Sequence, residues 1–293
     1  MFTRRALQWF GFGAAVAILT LAAGNSGQVG LAQTDCTVTV QPGQSIQQAI
    51  DSAAEGAVIC LDAGTFQENL ELNRGLILRG ADKEKSKITG KESGKPVIHI
   101  ANTAQIQVVI EHLTIADALG NGSGISVGGK LKTTIQDSRL SGNGSSGLVV
   151  ADSAEVLLKD SIVSDNKVVG LTAGDSARLT VQNSQITGNN EGISPSQKAQ
   201  AVVKDSTVSE NKTMGIVVRD AAQLTVQNSQ ISKNLGGIVV GDFGVASILN
   251  NTITDNITVG ILAILPGNIV VCSGNTVSNN GTNYLGFGAQ KCH

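Results

Sequence analysis

Seven near-copies of one seven-residue phrase constrain this chain more than any other feature. They read DSRLSGN from 137, DSIVSDN from 160, NSQITGN from 183, DSTVSEN from 205, NSQISKN from 228, NNTITDN from 250 and GNTVSNN from 274. Their starts are spaced by 23, 23, 22, 23, 22 and 24 residues. A period near 23 that persists this long makes each repeat one coil of a solenoid, stacked on its neighbours. Helical repeats of about 34 or 40 residues are too long to fit. Leucine-rich repeats share the length but need several leucines and a helical or 3₁₀ segment per unit, whereas Gly, Ser, Thr, Asn and Val dominate here. Strands and tight turns are what remain.

Apolar residues alternate within each coil, as half-buried strands require. One strand centres on Leu140, Val163, Ile186, Val208, Ile231, Ile253 and Val277, with Ser138, Ser161, Ser184, Ser206, Ser229, Asn251 and Asn275 two residues earlier on the same face. A second follows a glycine, as in Gly147-Leu148-Val149-Val150 and Gly215-Ile216-Val217-Val218. A third carries pairs such as Val156/Leu158, Leu179/Val181 and Ala246/Ile248. The pattern predicts an all-β solenoid of 22–24-residue coils around one narrow core, with no inserted loops to interrupt it.

The phrase ends in Asn in every copy: Asn143, Asn166, Asn189, Asn211, Asn234, Asn256 and Asn280. A side-chain amide both donates and accepts, so asparagines stacked about 4.8 Å apart can bond one another along the axis, and Asn tolerates the left-handed backbone of a sharp bend. This column is expected to form an asparagine ladder. Asn211-Lys212-Thr213 and Asn256-Ile257-Thr258 also read as glycosylation acceptors, but the ladder explains every copy and the acceptor motif only some.

The two ends of the chain read differently. Arg4 and Arg5 precede an uncharged run from Trp9 to Ala23, followed by Gly30-Leu31-Ala32, so residues 1–32 form an expected signal peptide and the mature chain starts near Gln33. The run is shorter than a membrane span needs, and no transmembrane segment is expected in the mature chain. The arginine pair leaves the general secretory and twin-arginine routes open. Export to the periplasm, cell surface or medium gives meaning to four cysteines, Cys36, Cys60, Cys272 and Cys292, an even number suited to two disulfides. Three pairings are possible; nearness in sequence favours Cys36 with Cys60 and Cys272 with Cys292. Residues 33–293 then make a single domain, with a cap and first coils over 33–80, regular repeats over 137–280 and a C-terminal cap over 281–293. Charged residues make up only 15% of the chain and the net charge is -2, so there is no footprint for nucleic acid, while 41% hydrophobic content excludes a disordered chain.

The phrase, the Asn column and the following Gly-Ile/Leu-x-Val resemble the right-handed parallel β-helix repeats of the pectin-lyase-like superfamily, which includes pectate lyases, polygalacturonases and pectin methylesterases. The resemblance implies a right-handed parallel β-helix. The segment VQPGQSIQQAIDSAAEGAVICLDAGTFQENLELNRGLILRGADKEKSKITG from Val40 is similar to the superfamily's N-terminal cap and first coils. Within it Ser45 and Gln48 make an expected capping box for a short helix whose Ile46, Ala49, Ile50 and Ala53 plug the open core.

Chemistry is harder to find. The G-x-Q-D-T and G-x-x-D-F-I-F-G motifs of methylesterases and the N-T-D, D-D and G-H-G segments of polygalacturonases are absent. Pectate lyases need acidic Ca²⁺ ligands beside an Arg or Lys, and the acidic candidates are Asp152, Asp175, Asp220 and Asp242, near Arg178, Lys198 and Arg219, with Gln197 in the remaining coil. Their recurrence at one corner favours turn residues bonding local backbone N–H groups, because an active site should break the repeat. His99 and His112 alternate with apolar neighbours and are expected to point outward together near Glu111 and Asp117. A hydroxyl row, Ser141, Ser164, Thr187, Ser209, Ser232, Thr254 and Ser278, offers a surface for glycan hydroxyls. A second outward column, Val149, Thr172, Ser194, Val217, Val239 and Leu262, would present an apolar stripe.

Past the signal only Phe66, Phe243, Tyr284 and Phe287 are aromatic, too few for a sugar-stacking cleft. No catalytic residue or metal site is assigned and no cofactor is expected, Ca²⁺ being the one candidate. These features point to an exported, non-catalytic envelope, surface or carbohydrate-associated scaffold whose partner is a polysaccharide or an envelope protein. The alternative is a polysaccharide lyase or hydrolase acting on an acidic glycan with Ca²⁺.

Overall fold

The computed structural model describes residues 35–102, 105–287 and Cys292; the expected signal segment 1–32 lies outside them. After the strand Val38–Val40 and a helix over Ile46–Ser52, the backbone winds through ten coils, each crossing three sheets in the same order. Sheet 1 has eleven strands, from Val38–Val40 to Ile269–Ser273. Sheet 2 has ten, from Gly64–Gln67 to Thr276–Ser278, and sheet 3 has ten, from Leu70–Leu72 to Thr282–Gly286. Neighbouring strands belong to successive coils and pair in parallel. The register puts like on like: Thr133 lies beside Val156, then Leu179, Ala201, Leu224 and Ala246, all inside the tube. Small and β-branched side chains suit this stack because each meets its counterpart one strand spacing away.

The asparagine column is continuous. Asn143 donates its Nδ2 to Asn166 Oδ1 at 2.9 Å, and the same link runs through Asn189, Asn211, Asn234 and Asn256 to Asn280. Each Oδ1 also accepts the backbone N–H of the Asn one coil earlier, as Asn211 does from Asn189 at 3.1 Å. Asn211 and Asn256 are 2% and 1% exposed, so neither amide nitrogen is open to glycosylation in the folded chain. The expectation that Asn itself takes the left-handed turn is corrected. The left-handed residue is the one before it, as in Asp165, Gly188, Glu210, Lys233 and Asp255, leaving the ladder Asn free to point inward.

A second ladder runs beside it. Each buried serine of the row from Ser138 to Ser229 accepts the N–H of the serine one coil earlier, Asn251 and Asn275 continue the row, and each hydroxyl donates to a carbonyl two residues back, as Ser161 does to Lys159 at 2.7 Å.

The tube's ends are closed by different means. Ile46 and Ile50 are fully buried against the first coil, with Ala49 and Ala53 packed beside them. Ser45 Oγ accepts the Gln48 N–H at 3.3 Å, but Gln48 does not complete the expected box. Glu68 takes that role from the next coil, accepting Ile46 N at 2.8 Å, Gln47 N at 3.2 Å and the Ser45 hydroxyl at 3.0 Å. A carboxylate complements the positive end of a helix better than a neutral amide does. Disulfides join Cys36 to Cys60 and Cys272 to Cys292, and the Tyr284 hydroxyl donates to the Cys292 carbonyl at 2.7 Å.

One expectation fails in the first third of the chain. The coil that begins at Leu76 runs to Gln107, a span of 31 residues, because turns 81–85 and 90–97 are longer than their later counterparts. The repeat is broken there.

Candidate functional site

The longer coil builds the densest polar cluster on the surface. Its loop 81–85 is held by Asp82, whose Oδ1 accepts Glu84 N at 2.8 Å and whose carbonyl accepts Lys85 N at 2.9 Å. So folded, it reaches along the axis over the next coils: the Thr114 hydroxyl donates to the Lys83 carbonyl at 2.6 Å. Lys83 Nζ then meets Asp137 Oδ1 at 2.5 Å, and Arg139 meets Glu84 at 2.6 Å. His112 Nδ1 lies 2.7 Å from the other oxygen of Asp137. Lys87 pairs with Asp117 at 2.6 Å on the neighbouring sheet 2 face, and Arg79 pairs with the buried Glu111, which also accepts from Gln136.

The hydrogen bonds from Lys83 and His112 hold the Asp137 carboxyl below the usual carboxylate range, against the opposing effect of partial burial. Asp137 is therefore an anion at neutral pH. Its contact with Nδ1 orients the imidazole ring and favours Nε2 as the nitrogen that exchanges a proton. Both residues are left-handed, with φ of 57° at His112 and 42° at Asp137, in a column continued by Asp160, Asn183, Asp205, Asn228 and Asn250. Short polar side chains tolerate that conformation, which is how the corner can carry functional groups without glycine. His99 does not join them. It lies on the outer face of sheet 3 between Glu71 and Ser126, whereas His112 is at the corner of sheets 1 and 2 with Asp137 as its carboxylate.

The four aspartates at the corner between sheets 3 and 1 do a different job. Asp152 Oδ2 accepts Gly129 N at 2.7 Å, Asp175 accepts Asp152 N at 3.0 Å, Asp220 accepts Gln197 N at 2.8 Å and Asp242 accepts Asp220 N at 3.0 Å. Gln197 fills the gap by accepting from Asp175. The column is a third ladder between successive coils. Among the described residues no group of three or more His, Cys, Asp or Glu converges as metal ligands would. Arg219 turns away from this corner to clasp Glu191 with both terminal nitrogens, at 2.7 and 2.8 Å, and also donates to Ser194. A groove of about 370 Å³ near the same corner, lined by Ile106, Lys130, Leu131, Lys132, Ser153 and Glu155, contains only a Lys132–Glu155 pair at 3.2 Å.

The expected apolar stripe on sheet 3 is corrected by this clasp. Ser194, Val217 and Val239 are buried although they face away from the core. The Arg219 side chain lies over the sheet toward Ser194 and Glu191, and sheet strands flank the column on both sides. Sheet 2 remains open. Its outer face carries the row from Ser141 to Ser278 beside Arg139, Ile162, Gln185, Thr207, Gln230, Thr252 and Thr276, with Gln185, Gln230, Thr252 and Thr276 exposed.

Residues 96–248, more than half of the chain, match the family described as right handed beta helix region. The chain belongs to that family. No curated protein sequence matches it significantly. Among solved structures, an alginate lyase from Paenibacillus sp. is similar with a TM-score of 0.66 at 16% identity, covering 85% of this chain and 100% of that one. The A-module of a mannuronan C-5 epimerase from Azotobacter vinelandii gives 0.53 at 16% identity, over 83% and 91%. A pectin methylesterase from carrot gives 0.59 at 12% identity, over 83% and 90%. At such identities the likeness is one of fold. The features that sequence reasoning missed in this β-helix are loop 81–85 and its partners; an interruption of the coil length between Leu76 and Gln107 was the available signal.

Proposed function

We propose that this β-helix is an exported scaffold that binds a polysaccharide along the outer face of sheet 2 without cleaving it. The supporting observation is the lattice on that face. Two rows of hydroxyl and amide side chains repeat once per coil, at the strand spacing of about 4.8 Å, and are free of charge from Ile162 to Ser278. Hydroxyls and amides both donate and accept, so such rows match a polymer that presents hydroxyls at regular intervals. Charged groups from Lys87 to Arg139 stand at one end of the face and would fix where the polymer stops or turns. The fold-mates that act on alginate, mannuronan and pectin make polysaccharide the partner to try first. The cysteine pairs and the leader-like residues 1–32 support export.

Titration calorimetry with alginate, pectin and polygalacturonate tests the reading. Binding is expected with no shortening of the polymer, and replacing Gln185, Thr207 and Gln230 together by Ala should weaken it roughly tenfold, about 1.4 kcal/mol, with the melting temperature unchanged. A specific observation favours a second reading, a lyase or hydrolase of acidic glycans using Ca²⁺: the His112–Asp137–Lys83 arrangement resembles an oriented acid–base pair. Calcium-dependent release of unsaturated or reducing sugars, lost in His112→Ala, would replace the scaffold reading with that one.

A further inference from the structure

The last two coils differ from the rest in what they show to solvent. Phe243, Ile264, Ile269, Val271, Leu285 and Phe287 are all exposed there, Phe243 to 73%. The same columns are polar or small in earlier coils. Ile269 continues a row of Gln107, Lys132, Glu155, Arg178, Gln200 and Gln223. Ile264 and Phe287 stand where Ala151, Gly174, Ser196 and Arg219 stand higher up. These residues are contiguous: Ile264 and Ile269 flank one corner, the Phe243 ring lies 3.9 Å from where a Cβ on Gly267 in that corner would be, and Leu285 pairs beside Leu262. Grouped apolar side chains on a protein surface mark a contact site more often than scattered ones do.

The edge beside this patch is open. Among the described residues Ile269–Ser273, Thr276–Ser278 and Thr282–Gly286 each pair on one side only, so three strands present backbone N–H and C=O groups at the tube's end. Edge strands are usually blunted by charge, a proline or a covering segment. Residues 256–290 contain no Asp, Glu, Lys, Arg or His. The opposite end is treated in the ordinary way, with the helix Ile46–Ser52 over the core and exposed Asp51, Glu55 and Glu71 nearby.

The geometry points to a second copy of this chain as the occupant, docked tail to tail across a two-fold axis. An uncharged apolar patch meets its own image without repulsion and needs no partner of opposite charge. An open strand edge is self-complementary in the antiparallel sense that a two-fold axis imposes. Head-to-tail stacking would require the patch to meet the helix-capped acidic end, so the assembly closes as a dimer and does not grow into a filament. The inference is independent of polysaccharide binding, since sheet 2 faces sideways from the tube and the edge faces along its axis.

Sedimentation velocity on the purified chain without a C-terminal tag tests the inference. A species of twice the chain mass at micromolar concentration is expected. Ile269→Lys and Val271→Lys, both on the outer face of sheet 1, should each shift the protein to monomer, with dissociation at least tenfold stronger and an unchanged circular dichroism spectrum and melting temperature. Gln223→Lys, in the Ile269 column but nearer the middle, should leave the dimer intact. Hydrogen exchange should show concentration-dependent protection of amides in Ile269–Ser273 and Thr282–Gly286. A wild-type chain that stays monomeric at 100-fold higher concentration overturns the proposal, as does a dimer indifferent to both end substitutions. A monomer that instead co-sediments with neutral phospholipid vesicles, and loses this with Val271→Lys, would assign the patch to a membrane and overturn it equally.

Discussion

Asn211 shows how much a single buried amide carries in this protein. Its Oδ1 accepts from Asn189 N and Nδ2, and its own Nδ2 donates to Asn234 Oδ1 and the Ile186 carbonyl. Removing it strands several groups away from water, each at a cost of about 1–3 kcal/mol. Asn211→Ala is expected to lose about 3 kcal/mol or more, and Asn211→Asp to lose at least as much at neutral pH, because a carboxylate has no hydrogen to give Asn234 or Ile186. Urea unfolding checks both; midpoints within error of wild type would show that the ladder is decorative. The Asn column was legible from the sequence because identical residues at the coil period must stack. Which residue turns left-handed was not, since Asp165, Gly188, Glu210 and Lys233 share a backbone conformation and little chemistry.

At the level of elements, the helix Ile46–Ser52 has only seven residues, too few to be stable alone, so its order comes from what it docks on. Ile46 and Ile50 supply the apolar contact and Glu68 supplies the cap. Glu68→Ala should destabilise the first coil by about 1–2 kcal/mol. Amide exchange in Gln47–Ile50 should quicken while the coils beyond Gln107 stay unchanged; equal exchange throughout would refute a local role. The capping serine was visible in the sequence, but its partner was not. Glu68 lies 23 residues from Ser45, and only the closing of the first coil brings them together. Loop 81–85 teaches the same lesson, since Lys83 and Asp137 are 54 residues apart and meet because the loop leans across an intervening coil.

Taken as a whole molecule, the protein is close to one-dimensional: each coil touches its neighbours, and stability is a sum of coil and interface contributions. Fraying must begin at the ends, which is where the disulfides are. Cys36–Cys60 closes a separation of 24 residues and Cys272–Cys292 one of 20, each worth about 3 kcal/mol in the chain-entropy account. Replacing Cys272 and Cys292 by Ser should speed exchange in Ile269–Gly286 first and leave the coils from Glu155 to Lys204 protected. Simultaneous loss of protection everywhere would mean that the tube unfolds as one unit and not from its tail.

The coil period, the inward face of each strand and the asparagine column follow from sequence alone, because a repeated pattern stacked on itself leaves each residue next to its own counterpart. Tertiary structure decided the rest. The acidic corner became a ladder because each carboxylate finds a backbone N–H one coil away, and Arg219 covers an apolar column because Glu191 lies across the sheet. His112 acquires Asp137 and Lys83 through the 31-residue coil, and the tail stays open because no strand follows it among the described residues. Each of these depends on which side chains are brought together across coils where the repeat is imperfect, and departures from a period carry no register of their own until the chain has closed around them.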